Sequence, residues 1–317
     1  MKAPSVPAAT SPTHGAPISP NVNVAVPKSP SKSILADLVT LTKPRIISLL
    51  LVTTIAAMYV AGTPSWPLVL TVFVGGYMMA GGANAINMYM DRDIDMTMDR
   101  TRLRPIPSGR MTPVTVLAFG VALATAATFL LARFANVLTA ELALGGFYFY
   151  VFVYTRWLKR STPQNIVIGG AAGAFPPLVG YAAVTGSLDL TAWMLFLIVF
   201  YWTPPHFWAL ALLKQRDYEA AHVPMAPLVW GEKETANQMV WYTGILIALT
   251  VLPFCFGAFG KVYLVSMLVI SAPLVYGVLV TRLRSERRKP AAFVFKYSLL
   301  YLALLYVAMV VDIHGSI

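Results

Sequence analysis

Charge and sulfur are scarce in this sequence. A single cysteine among 317 residues, Cys255, excludes an intramolecular disulfide, and its place inside an apolar run reads as a packing residue. Only 12% of residues are charged and 57% are hydrophobic, whereas a soluble domain carries about 25% charged residues. An ordinary water-exposed fold is therefore excluded. The strict apolar–polar alternation of a membrane β-barrel is missing too. Acidic residues are absent from positions 1–30, which hold seven prolines, no arginine and no apolar run fit for a signal peptide; residues 1–36 are expected to form a disordered cytoplasmic tail.

What is abundant is uncharged apolar length. Runs of about 20 residues, enough to cross a hydrocarbon core of roughly 30 Å, fall at 46–62, 67–90, 113–132, 137–155, 164–184, 190–213, 237–259, 262–281 and 291–311. Lipid offers the backbone no hydrogen bonds, so each crossing must satisfy its own amides as a helix. The expected fold is an all-α polytopic membrane protein whose nine-helix domain spans residues 37–317.

The net charge of +11 invites a nucleic-acid reading, but its placement argues against one. All Lys and Arg except Arg133, Lys261 and Lys296 lie in the N-terminal region or in alternate loops. By the positive-inside rule this predicts a cytoplasmic N-terminus and, after nine crossings, an outside C-terminus. The basic excess is a topology signal, with the lipid bilayer as partner and no nucleic acid.

The richest stretch is NAINMYMDRDIDMTMDRTRLRPIPSGR at 84–110. Asn87, Asp91 and Asp95 recur every four residues, a step that drifts by only about 40° on a helix, so they share one face along about 12 Å. Asp93 points elsewhere and is expected to meet Arg92 or solvent. Stacked carboxylates repel unless a cation lies between them, and hard oxygen donors of this kind suit Mg2+. Arg100, Arg102 and Arg104 follow directly and supply the cations that a bound diphosphate requires. The bland alternative is a juxtamembrane loop whose charges neutralise one another.

A second polar cluster, LLKQRDYEAAHVPMAPLVWGEKE at 212–234, is expected on the same face, where Asp217 completes the metal site or simply pairs with Lys214 or Arg216. Lys43, Arg45, Arg156, Lys159 and Arg160 sit at span ends, where most such residues merely set topology, and Pro44 fixes the start of the first helix in a way that can aim its neighbours at the site. The sixth span reads FYWTPPHFWALALL at 200–213. Its His206 is either functional or hydrogen-bonded to a carbonyl freed by the two prolines. His222 reads as an ordinary loop residue. The aromatics Tyr89, Tyr154, Trp157, Tyr201, Trp202, Trp208, Tyr218 and Trp230 are mostly interfacial, with some available to shield an allylic cation.

The Asn87-x3-Asp91-x3-Asp95 pattern, the Arg104-Pro105 pair, nine spans and a second Asp loop resemble the UbiA superfamily of intramembrane prenyltransferases over residues 40–312. Within it, LTKPRI at 41–46, NMYMDRDIDMTMDRTRLRP at 87–105, YTRWLKRSTPQNIVIGGAAGAFPPLVGY at 154–181, TPPHFWALAL at 203–212 and DYEAAHVPM at 217–225 resemble the haem-farnesylating branch. One departure from the superfamily pattern is Ala221 four residues after Asp217, where a second aspartate often stands; the haem branch shares Asp-Tyr there.

The resemblance implies transfer of farnesyl from farnesyl diphosphate to the 2-vinyl group of haem B, with water adding a hydroxyl. It implies Mg2+ on Asp91, Asp95 and Asp217, and support from Asn87. Arg100, Arg104, Lys43 and Lys159 are then expected on the diphosphate, and Tyr154 and Tyr218 on the substrate. His206 is left as an iron contact, a proton acceptor or a group that orients water. Haem A synthase or a terminal oxidase assembly is the implied downstream partner in a bacterial cell membrane. Two rivals remain at the level of sequence: a related enzyme acting on an aromatic acid or quinone precursor, and a haem carrier or transporter. A structural subunit of an oxidase is a third.

Overall fold

The structure, a computed structural model, describes residues 33–315; most of the expected tail lies outside them. A short helix, Ile34–Thr42, opens the described chain and begins inside the segment expected to be tail. Nine helices among the described residues are long and apolar enough to cross a membrane: Pro44–Ala61, Trp66–Met90, Pro113–Phe134, Val137–Ser161, Asn165–Thr185, Leu190–Leu213, Gly231–Cys255, Lys261–Leu283 and Arg288–His314. No strand occurs among the described residues. The nine match the nine expected crossings, and they are called the first to ninth spans below.

The boundaries differ where charges ride on helix ends. The fourth span continues past residue 155 through Arg156, Lys159 and Arg160, and the seventh starts at Gly231 with Glu232, Lys233 and Glu234 in its first turns. A search for uncharged runs cuts both short. Cys255 is the last residue of the seventh span and is exposed, which corrects the expectation that it packs inside the bundle.

Helix starts follow their local chemistry. Pro44 and Pro113 stand at the first helical positions, where a missing N–H costs nothing. Thr112, Asn136 and Asp189 each accept a hydrogen bond from the backbone N–H three residues on, satisfying a donor that the helix leaves unpaired.

Two large apolar clusters, with two small ones beside the second span, fill the bundle. One large cluster gathers residues of the first span and of the fifth to ninth; the other gathers residues of the first five. The first and fifth spans belong to both, and they touch along a seam where a Cβ on Gly180 would overlap the Thr54 carbonyl oxygen. Small residues let backbones approach this closely in lipid, where packing rather than hydrophobicity drives helix association. Gly82 and Gly120 make the same kind of approach between the second and third spans.

The two ends of the bundle differ. At one end His314 meets the Tyr59 carbonyl, and the Asp312 carboxylate accepts from the N–H groups of Gly260 and Tyr263. At the other end lie the short helix, the 91–112 and 214–230 connections, and most of the basic residues. There Asp37 accepts both of its bonds from Arg110 Nε, at 3.1 and 2.9 Å, tying the short helix to the 91–112 connection.

Candidate functional site

The second span delivers the carboxylates. Its helix bends at Asp91, yet Asp91 N–H still bonds to the Asn87 carbonyl and Asp95 N–H to the Asp91 carbonyl, at 2.9 and 2.8 Å. The four-residue spacing therefore survives the bend. Asn87, Asp91 and Asp95 are all buried, the two aspartates to 1% exposure. Asp93 turns outward and is held by both guanidinium nitrogens of Arg160 at 2.6 and 2.7 Å, not by Arg92, which donates to the Tyr89 carbonyl. Those bonds hold the Asp93 carboxyl down at about 2.

A second helix brings the opposing cations, and it is not an ordinary one. Residues Phe149–Leu158 of the fourth span are π-helical, with bonds that skip five residues. Tyr150 and Thr155 illustrate the effect: Thr155 Oγ1 donates to the Tyr150 carbonyl at 2.9 Å. In an α-helix these two side chains would diverge by about 140°; the wider turn brings them onto one face, as π-segments at functional sites often do. That face meets the second span in three successive contacts. Tyr150 OH donates to Asn84 Oδ1 at 3.5 Å, Asn87 Nδ2 to Thr155 Oγ1 at 3.2 Å, and Lys159 Nζ to Asp91 Oδ2 at 2.5 Å.

Lys43 closes the site from a third side. It links the short helix to the first span in the left-handed conformation, φ 55°, which is rare for a residue with a side chain and stores strain. Its ammonium donates to Asn87 Oδ1 at 2.9 Å, while Asn87 Nδ2 donates to Asp91 Oδ2 at 2.8 Å. Burial, aided by the nearby Arg104 and Lys159 cations, lowers the Lys43 ammonium from its ordinary value to about 7. Arg104 makes two bonds to Asp95, at 2.8 and 2.6 Å, and burial pushes the Asp95 carboxyl up against that pull.

The 91–112 and 214–230 connections meet over this end. Arg100 lies over the ring of Tyr218, 5.1 Å from its centre, and Tyr218 is buried. Asp217 is 4.0 Å from Lys214. No group of three metal-capable side chains occurs among the described residues, so Asp217 is not gathered with Asp91 and Asp95 into the expected trio.

Beneath the charged end opens a cavity of about 530 Å3 with largely apolar walls. Asn84, Tyr150 and Tyr154 line it near the carboxylates, Arg45 lines it from an exposed position on the first span, and Thr203, His206 and Phe295 line it from the sixth and ninth. Tyr150 and Tyr154 stack at 5.6 Å. His206 is 5% exposed, lies between the rings of Trp202 and Phe295, and shares its Nδ1 with Ser298 Oγ at 2.7 Å. Its bond thus crosses to another span and does not go to a carbonyl freed by Pro204 or Pro205. His222 is exposed, in a left-handed turn.

Sequence reasoning missed Asn84, Tyr150, Thr155 and Ser298. Asn84 had a signal, since it stands three residues before Asn87 on the same face. Tyr150 and Thr155 had none, because their alignment depends on the π-turns.

The buried atoms also bear on a metal. Asp91 Oδ1 is enclosed and has no hydrogen-bond partner among the described residues; Arg160 stops 3.7 Å away. A desolvated carboxylate oxygen without a hydrogen bond is costly, and it is a donor available to a hard cation. Mg2+ commonly takes only one or two carboxylates, with water and phosphate oxygens completing its shell, so Asp91 and Asp95 form a donor set that fits it.

Comparisons with known proteins agree with this architecture. The model of the UbiA prenyltransferase family matches residues 50–300. A protoheme IX farnesyltransferase of Roseiflexus castenholzii is 55% identical over 282 residues, covering 88% of this chain and 52% of that protein. One from Symbiobacterium thermophilum is 51% identical over 286 residues, covering 89% and 96%. The chain thus spans about half the length of some curated relatives and nearly all of others. Among solved structures, a digeranylgeranylglyceryl phosphate synthase aligns with TM-score 0.73 at 19% identity, covering 88% of this chain and 98% of that one. A UbiA homolog from Archaeoglobus fulgidus bound to GPP and Mg2+ aligns with TM-score 0.65 at 15% identity, covering 86% and 99%. With its nine spans, this chain belongs to the UbiA prenyltransferase family.

Proposed function

We propose that this protein transfers the farnesyl group of farnesyl diphosphate to the 2-vinyl group of haem B, with water adding a hydroxyl, to give haem O and diphosphate. The observation that carries the reading is the charged end of the cavity. An enclosed oxygen of Asp91 that accepts no hydrogen bond and has only Arg160 near it, at 3.7 Å, stands with Lys159 and the Asn87-bound Lys43, one helical turn and more beyond Asn84, which lines the largely apolar cavity. Carboxylates alone cannot hold a polyanion; carboxylates with a metal and cations can.

Asp91 and Asp95 would hold Mg2+, with Asp217 the third candidate from the facing connection. When bound, the metal supplies positive charge to the leaving diphosphate oxygens. The Archaeoglobus fulgidus homolog of the same fold, bound to GPP and Mg2+, supports the pairing of Mg2+ with a prenyl diphosphate. Lys159, Lys43, Arg104 and Arg100 would bind the diphosphate; Lys159 and Arg104, which here neutralise Asp91 and Asp95, would turn to phosphate oxygens with those carboxylates engaged by a cation. Asn87 orients both Lys43 and Asp91.

The carbon–oxygen bond of the prenyl diphosphate breaks as charge accumulates on the departing group, which prearranged cations stabilise strongly in a site of low dielectric. The vinyl π electrons form the new carbon–carbon bond. Water then adds to the cationic carbon left beside the porphyrin and loses a proton. Apolar walls would hold bulk water from the farnesyl carbon until that bond forms, and the stacked rings of Tyr150 and Tyr154, which line the cavity, would shield its charge. The farnesyl and haem assignments are supported by the relatives named protoheme IX farnesyltransferase.

The gathering of basic residues at the site end favours a cytoplasmic site in a bacterial cell membrane. Haem A synthase or a terminal oxidase assembly would receive the product. The test supplies purified protein with Mg2+, farnesyl diphosphate and either haem B or 4-hydroxybenzoate. Farnesylated haem is the expected product; prenylation of the aromatic acid alone, or haem binding with no diphosphate release, refutes the reading.

A further inference from the structure

His206 stands apart from the diphosphate machinery, and its surroundings fix it more firmly than packing requires. Its ring is stacked against Trp202 on one side, 4.5 Å between centres, and against Phe295 on the other, at 4.9 Å. Trp202 is itself tied to the ninth span through a 2.8 Å bond from Nε1 to the Ser298 carbonyl. The ring can neither tilt nor flip without breaking these contacts.

The hydrogen bonds accommodate a defined tautomer. Ser298 Oγ lies 3.1 Å from the Phe295 carbonyl, an acceptor for its proton, and a serine that donates there accepts from His206. On that assignment the imidazole proton is on Nδ1, and Nε2 carries a lone pair. Nε2 has no hydrogen-bond partner among the described residues, and His206 lines the cavity. A buried imidazole with one nitrogen held by a hydrogen bond and the other unbonded, on a residue that lines a ligand chamber, has the makings of a metal-ligating histidine, in which the second partner orients the ring and raises its basicity.

Other polar groups in the chamber are less available. Thr203, Thr53 and Thr54 spend their hydroxyl protons on backbone carbonyls of their own helices, and His206 is the sole imidazole among the residues lining the cavity.

We propose that Nε2 of His206 is an axial ligand of the haem iron when haem B occupies the cavity, with Ser298 as its positioning residue. This rests on the haem reading above and deepens it. The lone pair of Nε2 forms the iron–nitrogen bond, and no proton is released because the ring proton stays on Nδ1. Axial ligation lays a porphyrin face against the His206 edge and leaves the porphyrin periphery, where the vinyl groups are, free to extend toward Asn84, Tyr150 and Tyr154. The histidine then acts as the pivot that presents the acceptor carbon to the prenyl group.

The test adds ferrous haem B to the purified full chain and records the resonance Raman band of an iron–histidine bond, together with haem affinity and product formation. The wild-type protein should show the band. His206→Gln and His206→Gly should lose it and bind haem at least tenfold more weakly, with free imidazole restoring the band in the glycine variant. Ser298→Ala, a milder change, should keep the band and shift its frequency. A band that persists in the His206 variants, or that is unmoved in Ser298→Ala, overturns the proposal. If the wild type farnesylates haem yet shows no such band, the ligation is wrong and the haem reading stands. If the wild type neither binds nor farnesylates haem, both fail.

Discussion

Replacing Asp91 by Asn, and then Lys159 by Met in the same chain, separates the structural part of this carboxylate from its chemical part. Asp91 is 1% exposed and neutralises Lys159, whose side chain is 13% exposed, across a 2.5 Å contact. Removing one partner of a buried ion pair costs about 3–5 kcal/mol because it strands the other charge. Residual solvent access at Lys159 puts the expected loss at the low end, about 3 kcal/mol. Asp91→Asn should therefore lower the melting temperature in detergent, and Asp91→Asn with Lys159→Met should recover most of that loss. Turnover should behave differently, because in the proposed function both groups serve the leaving diphosphate. Loss of one transition-state charge contact typically costs about 10²–10³ in rate, so the single variant should fall by at least that much and the double variant should stay as low. The assay is product quantification by mass spectrometry beside a thermal melt of the same preparation. Recovery of turnover together with stability, or an Asp91→Asn enzyme within a few-fold of wild type, would refute the reasoning.

Lys43 gives a pH dependence. Its folded value of about 7 lies below its ordinary 10.5, so between those values the folded protein holds fewer protons than the unfolded chain, and this group makes stability rise with pH across that window. A bound diphosphate stabilises the charged ammonium, so binding above about pH 7 should take up close to one proton and weaken by up to about tenfold per pH unit. Calorimetry in two buffers of different ionisation enthalpy reads the uptake, and Lys43→Met should abolish it; no difference between the two proteins would count against the assignment. Gly180→Ala should destabilise the bundle by about 1–3 kcal/mol by forcing the first and fifth spans apart, seen as a lower melting temperature. An unchanged melt contradicts the seam. Chelation should stop turnover and Mg2+ should restore it. Asp217→Asn should lose less activity than Asp91→Asn, since Asp217 is not gathered with the carboxylate pair; equal losses would argue that the 214–230 connection closes onto the metal.

The spans were legible because the bilayer imposes a length on uncharged helices, and their errors fall where Arg156, Lys159 or Glu232 ride on helix ends. The face shared by Asn87, Asp91 and Asp95 was legible because it depends only on α-helical periodicity, which the bend at Asp91 leaves intact. The partners were not. Lys159 reaches Asp91 and Arg160 reaches Asp93 because ten residues of the fourth span wind as a π-helix, and no residue type announces that winding. Lys43 shows the intermediate case. Pro44 signalled a fixed helix start, while the left-handed backbone that aims the ammonium at Asn87 follows from how the short helix packs. Asp217 was read from its place in a second acidic loop, and a loop's position over a bundle is set by contacts such as Arg100 on Tyr218 that sequence spacing does not encode.

The central claim is a carbon–carbon bond between farnesyl and the haem vinyl group, followed by addition of water. Mass spectrometry of haem extracted after incubation with Mg2+ and farnesyl diphosphate, in water enriched with heavy oxygen, tests it most directly. The account predicts a haem heavier by one farnesyl group and one hydroxyl carrying the heavy isotope, formed only with both Mg2+ and farnesyl diphosphate. Haem recovered at its original mass, while farnesyl diphosphate is consumed or another acceptor is prenylated, would contradict it.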